Sequence, residues 1–280
     1  MEITAGLVKE LREKTGLGMM ECKKALGETN GDIEKAVEFL RKRGALKAEG
    51  KSDRATSEGV IGSYISDDAK TGSIVEVNCE TDFVARSDDF LALVNDIALH
   101  AAKSDSTDNI TEQKFVNDSS KTINDLIKEK IAKLGENITV KQAQKVVTEG
   151  GLGSYIHSNK KVGVLVELGL DKDMSSDEIQ ALTKDIAMHV AASSPKYVTR
   201  EHVDQDFLNK EKEIMLAQSG DDLAKKPENI REKIITGRMD KIFAQVCLVE
   251  QPFVKNPDQT VGDLVKGKAT IKQFVRYSLG

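Results

Sequence analysis

The sequence predicts an α+β protein: an N-terminal bundle of three helices, then two related α+β subdomains with antiparallel sheets, and a protruding helical hairpin in the second. Three observations carry this expectation. Apolar residues recur at helical spacing between residues 4 and 44, a hairpin-plus-helix pattern occurs twice after residue 58, and two charged amphipathic stretches adjoin within residues 201–245. The expected organisation is a bundle over 1–45, a linker over 46–58, a first core subdomain over 59–150 and a second over 151–280, with the hairpin at about 201–245. A chain of 280 residues is long enough for two or three such units, each with its own core.

In the bundle, Thr4 is placed to cap a first helix whose Leu7, Val8 and Leu11 share a face, and Thr15-Gly16-Leu17-Gly18 ends it. A second helix runs from about Met19 to Thr29 with Cys22, Ala25 and Leu26 inward. Asn30-Gly31 then turns the chain and Asp32 caps. Ile33, Ala36, Val37 and Leu40 follow at i, i+3, i+4 and i+7 before Gly44 closes the third helix. The stretch LKAEGKSDRATSE offers little to bury and reads as a linker. Arg41-Lys42-Arg43, Lys47, Lys51 and Arg54 complement a helix end and solvate that linker.

The repeat begins with Gly62-Ser63-Tyr64-Ile65, which returns as Gly153-Ser154-Tyr155-Ile156. SIVEVN at 73–78 is echoed by VGVLVEL at 162–168, and Asp96-Ile97-Ala98-Leu99-His100 by Asp185-Ile186-Ala187-Met188-His189. Alternating runs joined by the polar turns SDDAKTG and HSNKKVG predict antiparallel pairs, each covered on one face by a helix. Between the copies, Ile123, Leu126, Ile127, Ile131 and Leu134 mark a further helix, and GENITV reads as a turn into a short strand. Residues 201–217 and about 228–244, separated by SGDDLAKKP, form the hairpin pattern, and KATIKQFVRYSLG alternates like a strand returning to the core.

Composition narrows the function. A net charge of -5 with only 4% aromatic residues argues against a protein that holds nucleic acid by neutralising phosphates. Cys22, Cys79 and Cys247 are scattered with no CxxC pair, which suits reduced thiols and a cytoplasmic location. The charged N-terminus lacks the apolar centre of a signal peptide, and no apolar run approaches a membrane span. GxxxxGK[ST], HExxH and GxSxG are all absent, and Gly16-Leu17-Gly18 lacks the third glycine of a dinucleotide fingerprint. Gly150-Gly151-Leu152-Gly153 reads as a turn before a strand. The expectation is therefore no catalytic residue, no metal site, no cofactor and no nucleotide site on this chain.

The remaining signals point to contact surfaces. His100 and His189 occupy matching places on apolar helix faces and are expected to pack, whereas His157 follows a repeat in a polar turn and is expected to be an exposed contact. Met19 and Met20 adjoin, so both cannot face the bundle core. Asp82-Phe83 is the sharpest pair. Asp82 is placed to cap the helix that follows, and Phe90, Leu93, Val94 and Ile97 already furnish that helix with an apolar face, which leaves Phe83 spare and exposed.

Two long segments, Thr15-Gly16-Leu17-Gly18-Met19-Met20-Glu21-Cys22-Lys23-Lys24-Ala25-Leu26 and Glu76-Val77-Asn78-Cys79-Glu80-Thr81-Asp82-Phe83-Val84-Ala85, resemble the signatures of the translation elongation factor Ts family. Ile186-Ala187-Met188-His189-Val190-Ala191-Ala192 and Gln251-Pro252-Phe253-Val254 continue the resemblance over nearly the whole chain. It implies a guanine-nucleotide exchange factor for elongation factor Tu and not an enzyme in the bond-making sense. It also implies an N-terminal bundle of ubiquitin-associated type that docks through Arg12, Met19, Met20 and Lys23. Asp82 and Phe83, flanked by Thr81 and Val84, would insert beside the partner's nucleotide and magnesium site, and His157, Phe253 and Val254 would add contacts. The partner is then a protein, with no nucleic acid and no membrane, and a dimer of the complex stays open. Where some members carry methionine after QPFV, this chain has Lys255. Two rival readings predict other features: a binding bundle tethered to an enzyme needs a cleft of converging acids and bases, and an RNA-binding factor needs exposed basic and aromatic residues together.

Overall fold

The computed structural model describes residues 3–224 and 227–280; Met1, Glu2 and the Lys225-Lys226 part of the expected SGDDLAKKP connection lie outside the described residues. Helix α1 (Ala5–Thr15) is capped by the Thr4 hydroxyl, which accepts from Leu7 N, and ends at Gly16, whose φ of 65° suits a residue without Cβ. Helices α2 (Met19–Glu28) and α3 (Ile33–Glu49) follow, the latter capped by Asp32 accepting from Lys35 N. Val8, Leu11, Cys22, Ala25, Leu26, Ala36 and Leu40 form their shared core. The expected helix end at Gly44 is corrected, because α3 runs on to Glu49. Gly44 serves close packing there: a Cβ on it would stand 3.1 Å from the Ala132 Cβ, so its bare backbone lets α3 lie against the helix that carries Ala132.

The rest of the chain is one scaffold built twice. In its first half come β1 (Glu58–Ile65), β2 (Thr71–Cys79), α4 (Asp82–Ala85), α5 (Asp88–Lys103), β3 (Lys114–Phe115), β4 (Asp118–Thr122), α6 (Ile123–Leu134) and β5 (Ile138–Val147). The second half holds β6 (Gly151–Ile156), β7 (Val162–Leu170), α7 (Ser176–Ser193), the long helices α8 (Gln205–Ala224) and α9 (Glu228–Val246), β8 (Pro252–Phe253), β9 (Asn256–Thr260), α10 (Val261–Val265) and β10 (Ala269–Ser278). Each half forms an antiparallel three-stranded sheet, in the orders β1-β2-β5 and β10-β7-β6. Strand β5 is a ten-residue edge strand, longer than GENITV suggested, because its polar edge residues conceal the alternation.

One face of each sheet is covered by its helix, α5 or α7, and the opposite faces meet. Ile61, Ile74, Val146, Leu152, Leu165 and Val275 pack between them. The junction is reciprocal. Ile61 N donates to Lys160 O and Leu152 N donates to Ala69 O, both at 2.8 Å, and the Ser63 and Ser154 hydroxyls meet at 3.0 Å. These are corresponding residues of the two copies, so the halves are related by an approximate twofold axis that passes near the serine pair.

Correspondence extends beyond the residues that announced it. His100 Nε2 meets Gln113 Oε1 at 3.0 Å and tilts against Phe115, as His189 Nε2 meets Gln251 Oε1 at 2.8 Å and tilts against Phe253. Thr122 with Asp125 and Thr260 with Asp263 form capping boxes on α6 and α10. Gln142 Nε2 donates to Glu76 and Gln273 Nε2 to Glu167, each at 2.7 Å, beside a register shift that leaves Lys141 or Lys272 out of the pairing. Helices α8 and α9 pack on each other, α9 has no buried residue, and Arg200 holds their base by pairing with Asp240 and Glu250 and lying 4.4 Å over the Phe243 ring.

Candidate partner-binding site

The turn after β2 begins at Cys79, whose Sγ donates to Thr81 O at 3.2 Å. Burial pushes that thiol up to about 12, so it stays protonated and structural. Thr81, and not Asp82 as expected, caps the following helix, its hydroxyl accepting from Val84 N. Asp82 is the first helical residue and pairs instead with Arg86 at 2.7 Å. A single helix was expected here, but Ser87 caps α5 separately, which makes α4 a four-residue helix of its own.

Phe83 is 84% exposed, while Phe90, one element later, is fully buried. The cause lies in α4, whose buried residue is Ala85. A residue two positions earlier projects about 200° around the axis, away from the core. Burying a phenylalanine usually stabilises a fold by roughly 1.5–3 kcal/mol, and that contribution is forgone here. An acidic and polar frame holds the turn. Glu136, in the α6–β5 connection, accepts from Thr81 N at 3.0 Å and from Thr81 Oγ1 at 2.6 Å. Glu80 accepts from Asn137 N at 2.7 Å and lies 3.5 Å from Arg54.

Arg12, Met19, Met20 and Lys23 are brought together in one groove between α1 and α2, floored by Val8. Met19 and Met20 are both exposed, at 59% and 75%, because Cys22, Ala25 and Leu26 already fill the inward positions of α2. His157 is exposed in the β6–β7 turn, where its Nδ1 meets the Tyr155 hydroxyl at 3.1 Å. That turn lies beside the start of β1, where Lys161 pairs with Glu58 at 2.9 Å and Glu58 stands opposite Cys79. His157 and the Phe83 turn therefore share one end of the first sheet. Val254 is 48% exposed, but its neighbour Phe253 is buried against His189 and is available only as a support for it. Lys255 is held at 2.6 Å by Asp185 of α7.

Reading the sequence missed the bracing pair Glu136 and Asn137, and it missed the second stretch of the repeat. The latter was visible as Gln113-x-Phe115-Val116 with Thr122-Ile123-x-Asp125-Leu126, matched by Gln251-x-Phe253-Val254 with Thr260-Val261-x-Asp263-Leu264. Among the described residues no group of three or more His, Cys, Asp or Glu side chains is placed to hold a metal ion. No described helix is long and apolar enough to cross a membrane. The exposed features are apolar side chains flanked by charge on a firm frame, the makings of a protein-binding surface.

A family model described as Elongation factor TS matches residues 80–280. The chain is 46% identical over 283 residues to an elongation factor Ts of Halothermothrix orenii, covering 100% of this chain and 93% of that one. It is 44% identical over 288 residues to one of Clostridium kluyveri, covering 99% and 93%, and 45% identical over 288 residues to one of Clostridium botulinum, covering 99% and 92%. On the family match and on identity spanning the whole chain, this protein is a member of the elongation factor Ts family.

Proposed function

We propose that this chain is a cytoplasmic guanine-nucleotide exchange factor for elongation factor Tu in translation elongation, and that Asp82 and Phe83 open the partner's nucleotide and magnesium site. The observation that carries the reading is Phe83, a large apolar ring held 84% exposed on a braced turn. In a GTPase of this kind Mg²⁺ and backbone groups around the phosphates hold the nucleotide. A protein that binds more tightly to a distorted, magnesium-poor form of that site weakens GDP, and GDP weakens the protein by the same factor. The factor then needs no nucleotide site of its own. Arg12, Met19, Met20 and Lys23 form a second contact on the bundle, and His157 and Val254, the latter backed by Phe253, extend the surface across the second half.

The test is direct. Elongation factor Tu loaded with fluorescent GDP is mixed with this protein and excess unlabelled GDP, and the loss of signal is timed. Acceleration at micromolar protein is expected, and Phe83→Ala should lose about thirtyfold in affinity for the partner, as truncation of a central aromatic anchor does. No acceleration by the intact chain would remove the exchange reading, and full acceleration by Phe83→Ala would remove the role given to the ring.

A further inference from the structure

We propose that Glu136 is a positioning residue: its carboxylate holds Thr81 so that the Phe83 turn is already built before a partner arrives. The proposal rests on the exchange reading above. Helix α4 has four residues, too few to be stable without tertiary support. Two of its bonds run to Thr81, from Val84 N to the hydroxyl at 3.4 Å and from Ala85 N to the carbonyl at 3.1 Å, and Arg86 N closes the turn on Asp82 O at 3.2 Å. Thr81 is therefore the base of the turn, and its amide and hydroxyl are both donors to Glu136, at 3.0 and 2.6 Å. Two bonds to a carboxylate fix the residue in position and in rotation.

Glu136 is itself anchored from both sides. It follows Gly135, the left-handed cap of α6 at φ 82°, whose carbonyl accepts from Lys51. It precedes Asn137, which is buried and donates to Ser52 O at 3.2 Å and Arg54 O at 2.9 Å, while its amide donates to Glu80. The connection between α6 and β5 thus ties the segment leaving the N-terminal helices to both residues that precede Asp82. A ring that must enter a partner from a floating turn loses affinity and rate to the ordering of that turn, and one on a prebuilt turn does not. Glu136 is partly exposed, so its replacement leaves the apolar cores intact.

The experiment uses the full chain in two arms. In the free protein, hydrogen exchange at the Val84 and Ala85 amides reads the turn. Glu136→Ala should speed it, Glu136→Gln, which keeps an acceptor, should fall between, and the melting temperature should stay close to that of the parent. In the second arm, release of fluorescent GDP from elongation factor Tu is followed at saturating protein. Glu136→Ala should lower the saturating rate about tenfold, the loss of one charge-assisted restraint, with a smaller change in the half-saturating concentration. In a Phe83→Ala background the same change should add nothing, because the ring it positions is gone. Val84 and Ala85 amides as protected in Glu136→Ala as in the parent overturn the proposal, and so does a parental saturating rate in that variant when Phe83→Ala is slow. Normal release by Phe83→Ala instead overturns the wedge reading while the amide data still decide whether Glu136 holds the turn.

Discussion

The two halves of the core share an interior and differ in how they leave it. In the first, β2 passes through Glu80 and Thr81 into the extra helix α4 and the exposed Phe83 before α5 begins. In the second, β7 passes through Asp171-Lys172-Asp173-Met174 straight to the Ser175 cap of α7, and the extra structure comes later as α8 and α9. Meanwhile the paired histidines, capping boxes, bulges and sheet-facing apolar residues recur in both. A scaffold needed twice has kept what buries and bonds, and the Phe83 turn and the paired helices α8 and α9 lie where the copies part company. Phe83 and His157 stand where the other copy has no like residue, whereas Val254 keeps a counterpart in Val116, so the lack of a counterpart marks some of the candidate contacts and not all of them.

The sharpest way to break that comparison is to truncate two phenylalanines that stand seven positions apart. Phe90 is fully buried in the first core beside Leu93 and Ile97, so Phe90→Ala should cost about 3–5 kcal/mol, a fall on the order of 10 °C in melting temperature. Phe83→Ala should stay within about 0.5 kcal/mol of the parent, since the ring touches little in the free protein. Thermal unfolding of both variants checks this. A large loss from Phe83→Ala would return that ring to the structural class.

Next in size is a matched pair of glycines. Gly62 and Gly153 occupy the same place in the repeat, where the edge strand of each sheet crosses its covering helix. A Cβ on Gly62 would meet Val94 Cγ1 at 2.4 Å, and one on Gly153 would meet Thr183 Oγ1 at 1.9 Å and its Cβ at 2.4 Å. Thr183 is further pinned by its bond to Ile179 O at 2.7 Å. Alanine at either site should destabilise by about 1–3 kcal/mol, with Gly153→Ala the worse because its neighbour has less room to turn. Denaturant melts rank the two, and the reverse order would show that the second half yields more easily at this crossing.

Much of this was legible before the structure. Helical spacing and capping residues marked the bundle, and the GSYI and DIA-x-H echoes marked the repeat, because local periodicity follows directly from which face is buried. Phe83 could be singled out because α5 already had a full apolar face. The Glu136 brace was not legible, since it joins residues 55 apart through a bond that no spacing rule anticipates. Gly44 misled for a related reason: glycine usually ends a helix, but here a helix far along the chain required a bare backbone. The second stretch of the repeat escaped because the α8–α9 insertion changes the spacing between its copies.

The smallest effect is expected at the paired histidines, whose imidazoles differ by one hydrogen bond. In both, the Gln side-chain amide is turned by its own donors, Gln113 Nε2 to Ser106 O and Asp108 O, Gln251 Nε2 to Gln245 O, so that its oxygen faces the imidazole. Each ring therefore donates from Nε2 to that oxygen. On His189 the free lone pair at Nδ1 accepts from Val254 N at 3.1 Å, whereas on buried His100 Nδ1 has no partner among the described residues. Burial holds both groups below the ordinary histidine range, with the glutamine bonds opposing it. A pKa lower in the folded than in the unfolded chain means that the unfolded state binds more protons in the interval between them. Stability should thus be full above about pH 6.5 and fall as the pH drops through the folded values. Protonating His189 must also break the Val254 bond, while protonating His100 breaks none, so His189 should titrate at the lower pH. Ring-nitrogen NMR across an acid titration reads both sites at once. If His189 charged first, the bond that distinguishes the halves would not be holding its proton off, and the β8–β9 turn that presents Val254 would have to be steadied by something else.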